Sequence, residues 1–436
     1  MNGYRDLRVA LLGCGSVGAQ VARLILEQSE ELAARVGARL VLTGIAVRDL
    51  DAPRDVDLPR ELFTTDAERL VLGADIVVEL MGGIEPARGL ILQAIQGGAD
   101  VVTANKALIA EHGAELAEAA EQVGAQLSYE AAVAGAIPII RPLRESLAGD
   151  HITRVLGIVN GSTNYILDRM ERFGDSAESA MRVAAELGYL EADPTLDVEG
   201  YDAAQKATIL ASIAFHTTVP VDAVYREGIT QVTSAQIEAA KHAGYVIKLL
   251  AVAERLTAAD GTEGVSARVY PALISREHPL AAVHGGKNAV FVEAEAAGEL
   301  MFYGAGAGGV ETASAVLGDL VSAARRHVAG GPGIPGSVHA DLPILPIGEV
   351  STRYQIMLAV RDEPGVLAEI ASTLAAHGVS AASVEQAVAE GAEAQASLII
   401  GTHTAREAEL AATVDALRGS AVVDAVTSVI RLEGAE

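Results

Sequence analysis

The chain has 436 residues, 50% hydrophobic and 21% charged, which is too long for one ordinary domain and excludes a predominantly disordered polypeptide. Its 32 Lys and Arg stand against 58 Asp and Glu, giving a net charge of −26 that opposes nucleic acid or an anionic membrane surface as partner. A single cysteine, Cys14, excludes an intramolecular disulfide, and the absence of a secretory leader or a membrane-length apolar run sets the expectation of a cytoplasmic protein.

Arg8 to Leu12 reads as a buried strand that enters Gly13-Cys14-Gly15-Ser16-Val17-Gly18 and then a helical pattern. Further apolar runs at Arg39 to Val47, Asp75 to Leu80 and Asp100 to Thr103 alternate with helical stretches at 86–97 and 106–123. Alternation of this kind predicts βαβ units on a parallel, Rossmann-type sheet. The first domain is placed at residues 1–135, completed by 304–327.

Small residues at 131–137 mark a change of pattern, with a helix expected around 139–148 and a strand at 152–159. Residues 162–173, 176–187, 202–216 and 234–254 read as helical, and 264–275 and 287–303 as strands joined by Gly285-Gly286. Residues 136–303 are therefore expected to form an α+β domain. The Gly- and Pro-rich stretch 328–350 reads as a linker. Beyond it, 351–433 reads βαββαβ, a separate ferredoxin-like module.

The spacing of Gly13, Gly15 and Gly18, after the first strand and at a helix start, suits backbone approach to a pyrophosphate. Ser16 and Val17 complete that loop. At the end of the second strand, Arg48 suits the 2′-phosphate of NADP whereas Asp49 suits the ribose of NAD, so both cofactors stay open. Cys14 has no identifiable base and reads as loop filling. The dispersed histidines give no transition-metal spacing. Asp202 and Lys206 lie four apart, on one helix face; taken alone, the pair is a capped helix with an ion pair. In a cleft, such a lysine donates a proton to a developing alkoxide.

The segment from Ala184 to Lys206, with Gly188-Tyr189, Asp193-Pro194, Asp197, Gly200, Asp202 and Lys206, resembles the signature of the homoserine dehydrogenase family. Leu190 departs from it, standing where a small residue is usual. The resemblance extends through GCGSVG, TANKALIA at 103–110, YEAAVAGAIPII at 129–140, IVNGSTNYIL at 158–167, EGIT at 227–230 and YGAGAGGVETASAVLGDL at 303–320. It implies reversible NAD(P)-dependent interconversion of L-homoserine and L-aspartate 4-semialdehyde, with 136–303 as the substrate and dimerisation domain. By motif, Lys206 is the implied acid/base group, with Asp202 and Lys106 beside it. Glu191, Asp197 and Asp202 are the implied substrate carboxylates. Thr103, Lys106 and Gly308 join the glycine loop and Arg48 as implied cofactor contacts. Glu130, Val133, Gly135 and Ile137 match positions that cage a sodium ion in family members. The C-terminal module resembles an ACT domain, through Arg361 to Leu367 and Gly378, which implies L-threonine as effector and a homodimer or higher oligomer.

Overall fold

The computed structural model describes residues 5–190, 193–331, 339–388 and 395–434. The chain divides into two compact units, one of Met1–Gly161, Gln205–Asp222 and Lys287–Asp341, the other of Ser162–Ala204, Ala223–Gly286 and Leu342–Glu436. Residues 136–303 are thus shared between both.

In the first unit a six-stranded sheet runs, edge to edge, Phe63–Thr64, Ala38–Ala46, Arg5–Leu12, Ile76–Glu79, Asp100–Thr103 and Leu127–Ser128. All its pairings are parallel. Chain order reverses between Arg5–Leu12 and Ile76–Glu79, and the crevice beyond the carboxyl ends of these two strands is where such sheets bind a dinucleotide. The inner strands are near-continuous apolar runs because helices cover both faces. The helix Gly309–Ala329 supplies Ala313, Val316, Leu320 and Ala323 to the same core as Leu7, Val9 and Leu11. This unit also holds an antiparallel set in which Lys287–Ala294 pairs with both Ile152–Ile158 and Gly298–Ala305.

In the second unit Tyr245–Thr257 and Glu263–Ser275 form a long antiparallel pair. The module strands follow the spatial order Val423–Glu433, Ser351–Arg361, Gln395–Thr402, Ala381–Val388, a fourth-first-third-second arrangement, with the helices Val366–Ala376 and Glu407–Arg418 sharing its core. The module is not separate: Val423–Glu433 pairs in parallel with Glu263–Ser275 at Ala272, Leu273 and Ile274, so one sheet runs through both.

Two expectations are corrected and a third is refined. The stretch 234–254 is a helix only over Ser234–His242; Gly244 at φ +82° breaks it, and Tyr245–Thr257 is a strand buried on both faces, whose apolar run lacks the alternation that distinguishes strand from helix. Residues 287–303 are a hairpin turned at Gly298 rather than one strand, and Gly285-Gly286 precedes it. The helix expected around 139–148 is present but shorter and wider: Ile140 and Arg141 are helical and Pro142–Ser146 continue as a π-type turn, with the Glu130 carboxylate capping the start by taking the amides of Ile139, Ile140 and Arg141.

Candidate active site

The glycine loop of the first unit is shaped by close approach. Gly13 lies at φ +95°, its amide donates to Ala46 O at 2.9 Å, and a Cβ there would sit 2.7 Å from Leu80 O. A Cβ on Gly18 would come 2.3 Å from Gly13 O, so the helix Ser16–Glu27 can follow its strand this tightly only without one. At Gly15 a Cβ would meet nothing within 4 Å, and no side chain caps the helix. Open space over a helix N-terminus, where Ser16 and Val17 are the first residues, fits an anionic pyrophosphate. Gly308, at φ +137°, starts the helix Gly309–Ala329, and a Cβ on Gly309 would lie 3.1 Å from Ser16 O. The second glycine stretch therefore returns to the first.

Arg48 is exposed after the strand Ala38–Ala46. Asp49 is exposed beside it, one carboxylate oxygen accepting from the Asp51 amide at 2.9 Å. Arg54 knits this loop by donating to Asp49 O and Ala52 O, both at 2.8 Å, and lies over the Phe63 ring. Burial pushes the Cys14 thiol up, against the lowering effect of Arg54, which fits loop filling rather than a nucleophile.

Thr103 and Lys106 are organised by a residue the sequence reading did not select, Glu79. It ends the strand Ile76–Glu79 fully buried. One oxygen accepts from the amides of Met81 at 2.7 Å and Gly82 at 3.1 Å, and the other from Thr103 Oγ1 at 2.6 Å. Thr103 Oγ1 accepts in turn from the Asn105 amide at 3.0 Å. Asn105 caps the helix Lys106–Val123 through Leu108 and donates Nδ2 to Gly83 O at 2.6 Å. Lys106 is thereby fixed as the first helical residue. The sequence signal was an acid at the end of an apolar strand just before Met81-Gly82-Gly83.

Lys206 Nζ donates to Val159 O, just past the strand Ile152–Ile158, at 2.7 Å. Asp202 is buried in the first turn of the helix Tyr201–Ala214, one turn ahead of Lys206 on the same helix. Asp197 is half-buried in the short helix Thr195–Val198. Glu191 lies outside the described residues. Leu190, the departure from the signature, is buried, and Tyr189 before it stacks on Tyr165 at 4.7 Å with its carbonyl accepting from Ser162 Oγ. In the same unit Lys248, also unselected, is held at about 8 by burial and donates to Asn164 Oδ1 at 3.0 Å and Val283 O at 2.6 Å.

Glu130 is buried, and its two carboxylate oxygens are committed to three amides and Arg141 Nε. Ala134 and Gly135, both at φ near +57°, fold the following turn, and a Cβ on Gly135 would lie 2.4 Å from Gly306 O. Val133, Gly135 and Ile137 can offer a cation only main-chain oxygens, which suit a hard ion. Among the described residues no group of three or more His, Cys, Asp or Glu is placed to hold a metal. No helix among them is long and apolar enough to cross a membrane.

Comparison with known proteins matches residues 13–130 to the homoserine dehydrogenase NAD binding domain, 138–321 to homoserine dehydrogenase and 354–421 to the ACT domain. Homoserine dehydrogenase of Mycobacterium tuberculosis is 57% identical over 99% of this chain and 98% of its own. The chain belongs to the homoserine dehydrogenase family. The Corynebacterium glutamicum member is 54% identical over 98% of this chain and 95% of its own. The solved homoserine dehydrogenase from Thiobacillus denitrificans superposes with a TM-score of 0.90 at 39% identity, covering 99% of both chains. A hyperthermophilic archaeal homoserine dehydrogenase solved with NADPH shares 29% identity and a TM-score of 0.62 over 75% of this chain and 99% of its own. The family's reaction is hydride transfer between a nicotinamide cofactor and the CH–OH carbon that links L-homoserine to L-aspartate 4-semialdehyde.

Proposed function

We propose that Lys206 is the acid/base group of this reaction. In reduction its ammonium gives a proton to the oxygen that becomes alkoxide as hydride reaches the aldehyde carbon; in oxidation it takes that proton back. The observation that carries this reading is the 2.7 Å bond from Nζ to Val159 O, which fixes the ammonium at the end of a strand instead of leaving it on a solvated tether. Lys106, held by the Asn105 cap, supplies a second positive charge toward cofactor and substrate. Asp202, Asp197 and Glu191 hold the amino-acid end and the hydroxyl. Kinetics of Lys206→Ala test the assignment, as set out below.

The nicotinamide cofactor, when bound, accepts or delivers the hydride; Gly13, Gly15, Ser16, Val17, Gly18, Thr103 and Gly308 shape its cradle. NADP is the preferred form: Arg48 stands exposed at the end of the second strand, where a 2′-phosphate would lie, and one oxygen of the neighbouring Asp49 is engaged by the Asp51 amide. A sodium ion would rest on the main-chain oxygens of Glu130, Val133, Gly135 and Ile137, since the Glu130 carboxylate is committed to amides and Arg141. L-Threonine is the proposed effector of the ACT module; calorimetric titration with no heat, together with unchanged activity, would remove it. A homodimer is supported by the edge strand Gly298–Ala305 with Tyr303 exposed, and a cytoplasmic setting by the lone cysteine.

A further inference from the structure

The second unit contains a buried polar network at the junction of the C-terminal module with the segment that precedes Asp202. Arg431, on the module strand Val423–Glu433, donates Nε and Nη2 to Glu407 at 2.9 and 2.5 Å, and Nη1 to Glu227 Oε1 at 2.9 Å. Tyr354 Oη donates to the same Glu407 oxygen at 2.6 Å, and Tyr225 Oη donates to Glu227. Burial, followed by the Glu227 carboxylate, pushes Tyr225 up to about 12, so it stays a donor. The guanidinium of Arg431 lies 4.6 Å from the Tyr270 ring centroid. Arg431, Glu407 and Tyr354 are all buried.

Glu227 is the outward end of this network and the start of a wedge. Its amide donates to Val269 O at 2.7 Å, fixing it to the strand Glu263–Ser275. Arg226 donates Nη1 to Glu199 O and lies 3.5 Å over the Tyr201 ring. The Ile229 amide donates to Val198 O at 2.8 Å, and a Cβ on Gly228 would come 2.2 Å from that same oxygen. Residues 226–229 thus back the turn 198–201, and Asp202 follows directly.

We infer that the Arg431–Glu227 ion pair is a positioning link, through which the C-terminal module sets the turn that presents Asp202 to the substrate. The inference rests on the substrate role proposed for Asp202. It gives the module a route to substrate affinity that bypasses the nucleotide cradle. Glu227 is the residue to vary, since its side chain is 40% exposed and its loss leaves Arg431 paired with Glu407.

The test uses the full chain. Glu227→Ala should raise KM for homoserine about tenfold with kcat and the KM for cofactor within about twofold, as expected when a ground-state positioning contact is lost. Glu227→Gln, which can still accept from Arg431, should recover most of that affinity. Adding Arg431→Lys to Glu227→Ala should leave the homoserine KM within about twofold of that variant's, because the link is already broken, while the weakened Glu407 pair lowers the melting temperature further. Hydrogen exchange followed by mass spectrometry should show faster exchange at 198–202 and 226–229 in Glu227→Ala and unchanged exchange in the six-stranded sheet. An unchanged homoserine KM, or parallel rises for homoserine and cofactor, overturns the inference, as does unaltered exchange at 198–202. If the parent chain does not oxidise homoserine, the proposed substrate role fails first, while the exchange readout still judges the link.

Discussion

The hydroxyl of Thr103 donates to the buried carboxylate of Glu79 at 2.6 Å, tying the ends of two neighbouring parallel strands into one polar corner ahead of Lys106. Glu79→Ala would strand this hydroxyl and the amides of Met81 and Gly82 without their acceptor. The expected cost is about 1–3 kcal/mol of stability per unmet buried donor, moderated by any water that enters. The cofactor KM should rise about tenfold as the 81–83 loop and the Lys106 helix lose register. Thermal unfolding and steady-state kinetics on the same preparation check both, and an unchanged cofactor KM would detach Glu79 from the site.

Lys206→Ala should lower kcat about a hundredfold or more, the scale of a lost general acid/base. Cofactor affinity should stay within about twofold, because the lysine acts on charge that develops only in the transition state. Fluorescence titration of the reduced cofactor measures the affinity separately. Near-normal turnover would remove Lys206 from its role.

Arg48→Ala should weaken NADP more than NAD, by about tenfold in the ratio of kcat/KM values, the scale of one charge-assisted phosphate contact. Equal losses with both cofactors would show that Arg48 is not the phosphate partner.

Asp319, buried on the helix Gly309–Ala329, accepts the Glu130 amide at 2.7 Å and lies 3.5 Å from Arg141 Nε. Burial first, and the Glu130 carboxylate after it, push its carboxyl from 3.8 up to about 7. The folded chain therefore keeps a proton that the unfolded chain loses at lower pH. The stability this group contributes is full below about 3.8 and is lost as pH rises through about 7. Asp319→Asn should flatten the fall in stability between about pH 4 and about pH 8 by on the order of 4 kcal/mol. Parallel losses in denaturant melts of parent and variant would contradict this.

The glycine loop was legible because its demands are local: Gly13 needs φ +95° and Gly18 needs room against Gly13 O, and both are consequences of spacing. The parallel sheet and the βαββαβ module were legible from periodicity for the same reason. Glu79 was not, since its meaning arises from Thr103, 24 residues away on the next strand. The link from Arg431 to Glu227 spans 204 residues and leaves no mark in local pattern. Tyr245–Thr257 was misread because a strand buried on both faces offers no alternation. The roles of Lys206 and Asp202 came from family resemblance; their spacing alone allowed an ordinary ion pair.

The most direct test of the account is the initial rate of nicotinamide reduction with L-homoserine, measured with NADP and NAD in parallel, for the parent chain and Lys206→Ala. The account predicts homoserine-dependent reduction, faster with NADP, that collapses in the variant. No reduction with either cofactor, joined by silence in the reverse direction with L-aspartate 4-semialdehyde, would contradict it.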